Sequence, residues 1–187
     1  MGHIAFFCAT LLAVVFAVSS VGKILDFAAF VDSLKTISKV SEPLSNLLGA
    51  AILAAEVLTV LALATVWTDA THWAAYGFAT ATTLSIVFAV VVSAEVRKGS
   101  RAQCLCFGRK GTRFGARHVV RNGCLALAGV AGLISMSSAP LIPLAGMILA
   151  AGTGLFAAVV CVTMDDVVEL FRSGAGGVSG IESETVR

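Results

Sequence analysis

The sequence predicts an all-α, polytopic bundle of transmembrane helices with about five spans. Three observations predict it. Of 187 residues, 58% are hydrophobic and only 13% are charged, with a mean hydropathy of +0.95; soluble domains carry about 25% charged residues. A chain this short cannot hide so much apolar surface in one water-soluble core. Residues 1–22, 70–94 and 122–164 contain no Lys, Arg, Asp or Glu at all. Finally, the basic residues gather in particular connections between the apolar runs. Together these exclude a soluble enzyme of ordinary build. The net charge of +2 is too small for bulk attraction to a phosphate backbone, so no nucleic-acid partner is expected. The partner the composition demands is a lipid bilayer.

A spanning helix needs about 20 apolar residues, so the long run 122–164 holds two of them. Ser137, Ser138, Pro140 and Pro143 mark the break, because proline removes a donor and clashes inside a helix. The spans fall near 4–24, 46–67, 73–95, 119–138 and 142–164. Residues 1–165 form the transmembrane domain, and 166–187 are expected to be a flexible polar tail. Residues 1–20 could alternatively be a secretory signal, with small residues at Ser19 and Ser20, but no basic residue precedes the apolar stretch.

With five spans, the connections 25–45 and 96–118 share one side with the C-terminus. All 13 Lys and Arg residues lie on that side or at its membrane edge, and none lies on the other. The positive-inside rule then puts the N-terminus outside a cell (inner) membrane and the C-terminus in the cytoplasm. Within 25–45, Phe27, Phe30, Val31, Leu34, Ile37 and Val40 recur at helical spacing among Asp32, Lys35 and Lys39. That pattern suits a short amphipathic helix in the interface, or a bent continuation of the first span.

The connection 96–118 carries the most pointed chemistry. Cys104 and Cys106 lie one residue apart among Arg97, Lys98, Arg101, Arg109 and Lys110. Neighbouring cations favour thiolate over thiol, and thiolate attack on a disulfide is the elementary step of dithiol exchange. A Cys-x-Cys bridge closes a tight, strained ring, and Gly108 lets the backbone turn after Phe107. The bland alternative is that the positives only set topology and the cysteines are ordinary. Zinc ligands usually come paired at wider spacing, and only His118 and Cys124 could join them, so no metal is expected. Cys8, Cys124 and Cys161 read as small hydrophobes within spans.

Glu56 stands near the middle of the second span. A carboxylate there costs a few kcal/mol unless protonated or paired, so it should face the bundle interior, as polar glue or as a working group. Candidate partners are Thr80, Thr82, Thr83 and Ser85 of the third span, and a cation from Lys23 or Arg121. Lys23 and Asp26 could equally form an i,i+3 surface pair, and Arg121, beside Asn122, could snorkel to the interface.

Taken in order, Lys23, Asp26, Phe30, Pro43, Glu56-Val57-Leu58, Cys104-Leu105-Cys106-Phe107-Gly108 and Arg121-Asn122 resemble the MauE family of methylamine-utilisation proteins, within the wider DoxX-like group. The likeness runs over about residues 4–165; Leu105 departs from the family's usual glycine between the cysteines. The resemblance implies a four-helix core with one further helix. It also implies a part in maturing a periplasmic amine dehydrogenase rich in disulfides, methylamine dehydrogenase in the family, alongside thioredoxin-like proteins.

The expected function is therefore redox support of a client protein. Cys104 and Cys106 exchange thiols with a thioredoxin-like partner, aided by Arg101, Arg109 and Lys110. Glu56, Lys23 and Arg121 form a polar cluster inside the bundle, and Cys124 is a candidate for carrying electrons inward from a cytoplasmic dithiol. A quinone would suit a membrane dithiol enzyme, but no residue pattern marks a quinone site, so no cofactor is identified. Two rivals remain: a non-catalytic scaffold or chaperone whose Cys-x-Cys only fixes a loop, and a small-solute carrier that uses Glu56.

Overall fold

The computed structural model describes residues 2–38, 40–68, 71–98, 116–136 and 143–176, without the side chains of 71 and 165–176. All of its regular structure is helical: α1 (Gly2–Leu25), α2 (Phe27–Ser38), α3 (Glu42–Ala64), α4 (Thr71–Arg97), α5 (Ala116–Met136) and α6 (Leu144–Gly176), with one 3₁₀ turn at Thr65–Trp67. Five of these, α2 excepted, contain stretches long and apolar enough to cross a membrane.

Local chemistry explains the boundaries that differ from expectation. α3 begins at Glu42, four residues early, with Ser41 at its cap and Pro43 in the first turn. Proline is tolerated there because the first amides of a helix have no intrahelical acceptor anyway. α2 is the amphipathic segment expected in 25–45, and Asp26 separates it from α1. The Asp26 side chain accepts a hydrogen bond from the Ala29 amide at 3.3 Å, the third residue of the new helix. This is an N-cap. α6 runs on to Gly176, past the expected boundary at 165. The sequence there, Asp165 to Phe171, contains no proline or glycine to stop it. Pro143 stands just before the helix, and its carbonyl accepts from the amides of Gly146 and Met147. The other break residues, Ser137, Ser138 and Pro140, lie outside the described residues, as do 177–187 of the tail.

α1 is the hub. It packs against α3, α5 and α6, while α4 bridges α3 and α5 and closes a four-helix ring. α6 sits outside the ring against α1, and α2 lies along α3. The ring interior is filled by Leu12, Phe16, Leu63, Phe78 and Leu125, among others. Lipid gives helices no hydrophobic reason to associate, so close packing over small residues has to do it. A Cβ on Gly132 of α5 would run into the Phe78 ring of α4, and one on Gly129 into the Thr82 side chain.

The two ends of the bundle differ in chemistry. Phe6 meets Trp67 edge-on at 4.9 Å where α1 begins and α3 ends, and Trp73 lies 6.0 Å from Tyr76 at the start of α4. That end therefore holds both tryptophans and the single tyrosine of the chain, the residues that favour a membrane–water interface. Lys35, Arg97, Lys98 and Arg117 lie at the opposite end.

Candidate functional site

The polar centre of the ring is built by α1 and α3. These helices run antiparallel, since Phe6 meets Trp67 at one level and Lys23 meets Glu56 further along. Helical side chains lean toward their own N-terminus. Lys23 therefore leans inward from the last turn of α1, and Glu56 leans toward it from the middle of α3. The Lys23 ammonium lies 2.6 Å from Glu56 Oε1, 2.8 Å from Oε2 and 2.6 Å from Ser19 Oγ. All three of its N–H donors are thereby used. Ser19 and Ser20 also donate to the carboxylate, at 3.3 and 3.4 Å. Both charged side chains are fully shielded from solvent.

Aromatic faces complete the enclosure. The ammonium lies 5.3 Å from the centroid of Phe30, on α2, and 5.6 Å from that of Phe88, on α4. Both are within reach of a cation–π attraction. One turn along α3 from Glu56, the Thr59 hydroxyl lies 3.0 Å from that of Thr80. An isolated charge at this depth costs about 2.5–3.5 kcal/mol on insertion scales. The direct pair offsets that cost by opposing the charges and satisfying donors and acceptors together.

Several expectations change here. Lys23 is the cation of Glu56, as one expectation had it, reaching into the bundle from the last turn of α1. The carboxylate's hydrogen bonds and ion pair all come from α1, not from the hydroxyls of α4 or from Arg121. Thr82 and Thr83 instead turn back onto the carbonyls of Phe78 and Ala79. Lys23 does not form a surface pair with Asp26, which is occupied in capping α2. Ser19 and Ser20 are members of this polar cluster that sequence reasoning missed. Their signal was helical spacing, since Ser19 and Lys23 are four residues apart on one face.

A second polar group lies where the 99–115 connection is rooted. His118, Arg121 and Asn122 are buried in the first turns of α5, so Arg121 does not snorkel outward. The Asn122 amide donates to the His118 carbonyl at 2.8 Å. Glu95 is buried in the last turn of α4 and accepts from Lys98 at 2.8 Å. Cys104, Cys106, Phe107, Gly108, Arg101, Arg109 and Lys110 all lie outside the described residues. Of the other cysteines, Cys8 is buried, Cys161 partly so, and Cys124 is exposed on α5. Arg121, Asn122 and Leu125 take the inward face of that helix. Cys124 is therefore turned away from the core.

No curated protein and no solved structure shows a significant match to the chain. The family model of the methylamine utilisation protein MauE matches residues 1–136. That segment covers the ring of α1, α3, α4 and α5 together with α2, and stops where α5 ends. With five membrane-span-like helices and a family-model match over most of its length, the chain is a membrane protein belonging to the MauE family.

Proposed function

We propose that this protein supports the redox maturation of a client protein through the Cys104/Cys106 dithiol. The observation that carries the reading is the Cys104-Leu105-Cys106-Phe107-Gly108 segment, set among Arg101, Arg109 and Lys110, in a chain of the MauE family. The segment lies in the connection between α4 and α5, neighbours in the ring.

The exchange is a two-electron step. One thiolate attacks a disulfide sulfur of a thioredoxin-like partner, forming a mixed disulfide and releasing the partner's other sulfur as thiolate. The second cysteine of the pair then attacks, which frees the reduced partner and leaves Cys104 and Cys106 joined. The reverse sequence reduces the pair and oxidises the partner, and the relative potentials set the direction. Arg101, Arg109 and Lys110 raise the thiolate fraction at neutral pH. In the family's methylamine setting, the client is a disulfide-rich amine dehydrogenase. By the distribution of Lys and Arg, we place the N-terminus outside the inner membrane and the dithiol loop in the cytoplasm.

The test replaces both cysteines by serine and follows the client's disulfide state and activity in cells. Loss of client maturation is expected, and normal maturation would sink the redox reading in favour of a scaffold. Labelling Cys104 and Cys106 in intact cells with a membrane-impermeant maleimide checks the side. Protection in intact cells and reaction after lysis are expected; labelling from outside would reverse the orientation.

A further inference from the structure

Lys23 departs from the habit of its residue type. A lysine in the last turn of a spanning helix normally extends its stem toward the headgroups and leaves its charge in water. Lys23 stands in the last turn of α1, yet its side chain turns into the bundle and is fully enclosed. There it meets an assembled receptor. Both oxygens of Glu56 and the Ser19 hydroxyl take its three N–H donors, and the rings of Phe30 and Phe88 wall it in. A carboxylate, a hydroxyl and two aromatic faces are what recognition of an organic ammonium requires.

The geometry points to a binding site for a small primary alkylammonium ion, of which Lys23 is the tethered occupant. The end of a lysine side chain, one methylene bearing an ammonium, is a methylammonium group on a leash. When Lys23 swings out to the interface, a free ion of that kind takes its place against Glu56. The exchange trades one positive charge for another, so the carboxylate is never left unpaired in the membrane. Specificity follows from the donor count. Three N–H bonds are satisfied and one substituent points along the path of the lysine stem. A quaternary ammonium has no N–H to give, and an alkali cation would have to shed a tightly held hydration shell to enter a cage walled by two aromatic rings. A second observation also points to a ligand. Ser85 is fully buried, and its hydroxyl has no hydrogen-bond partner. It lies three residues before Phe88 on α4, a spacing that puts the two on one helical face.

The site does not depend on the cysteines. The test is equilibrium binding of radiolabelled methylammonium to the purified full chain in detergent micelles. Wild-type protein is expected to bind saturably but weakly, because Lys23 competes. Lys23→Ala should bind at least tenfold more tightly, and adding Glu56→Gln to it should abolish binding. Phe88→Leu in the wild-type background, which removes one aromatic wall and leaves the ion pair, should weaken binding several-fold. Tetramethylammonium and sodium should not compete, and Cys104→Ser/Cys106→Ser should bind as wild type does. A folded Lys23→Ala protein without saturable binding would overturn the inference, as would equal competition by sodium. If Lys23→Ala does not assemble, the wild-type protein decides. Saturable binding weakened by Phe88→Leu upholds the site, and absence of saturable binding overturns it.

Discussion

The ammonium of Lys23 and the carboxylate of Glu56 meet at 2.6 and 2.8 Å with neither side chain exposed. Such a pair is held by mutual compensation. Removing one member leaves a buried charge without a counterion, which costs about 3–5 kcal/mol, whereas removing both is far cheaper. Lys23→Met and Glu56→Leu should therefore each lower the unfolding midpoint in detergent strongly. Lys23→Met combined with Glu56→Leu should recover much of the loss. Additive losses in that double-mutant cycle would show that the two residues do not act as a unit.

Asp26 makes a separate contribution. Its carboxylate caps α2 through the Ala29 amide, so Asp26→Ala should cost about 1 kcal/mol, the usual price of a lost N-cap. Asp26→Asn should be close to neutral, since asparagine caps equally well. The same thermal or denaturant titration measures both. If Asp26→Asn proved as damaging as Asp26→Ala, the negative charge and not the cap would be what matters.

Two glycines of α5 should respond in opposite ways to the same substitution. A methyl group on Gly132 collides with the Phe78 ring, whereas one on Gly123 meets nothing within 4 Å. Gly132→Ala should destabilise by about 1–3 kcal/mol through overpacking. Gly123→Ala should stabilise by up to about 1 kcal/mol, because alanine is the better helix former. Comparing the two variants' stabilities in one detergent removes effects common to any Gly→Ala change. Equal responses would mean that α4 and α5 do not pack closely at Phe78.

Cysteine accessibility tests how α1 and α5 are rotated about their own axes. Cys124 is exposed and Cys8 buried. In single-cysteine variants held in micelles, N-ethylmaleimide should modify Cys124 readily and Cys8 only after unfolding. Rapid reaction at Cys8 would contradict the packing of α1 at the hub of the bundle.

The spans were legible because a bilayer forces apolar length and internally satisfied backbone on any segment that crosses it. Rotation of each helix about its axis was not legible, because lipid-facing and core-facing positions are apolar alike. The site suffered most from this. Lys23 sits one turn from a helix end, where position alone suggests the interface, and only the antiparallel lean of α1 against α3 brings it to Glu56. Ser19 and Ser20 look like unremarkable small residues until Lys23 fixes the face they share. Arg121 resembles Lys23 in the sequence, a cation at the edge of a span, but it packs inside α5 without supplying the counterion of Glu56. Asp26 shows the reverse case. Its place between two helical patterns was visible, but the nearby Lys23 invited a pairing that capping pre-empts.

The family match and the packing divide the chain at the same point. The match ends at residue 136, and α6, which follows, packs on α1 and closes no part of the ring. In water, stripping a helix from a bundle exposes apolar surface and is ruinous. In a bilayer the uncovered face of α1 is covered by lipid chains as apolar as the helix it replaces, and only direct packing is lost. Gly154 of α6, seated against the Phe7 backbone and Thr10 of α1, belongs to that packing. A chain ending at Met136 should therefore still insert and assemble, with a lower unfolding midpoint, while Glu56→Gln in that shorter chain should remain as damaging as in the full one. Stability in detergent of the four proteins checks this. A truncated chain in which Glu56→Gln has no further effect would mean that α6 holds α1 against α3, and that the ion pair depends on it.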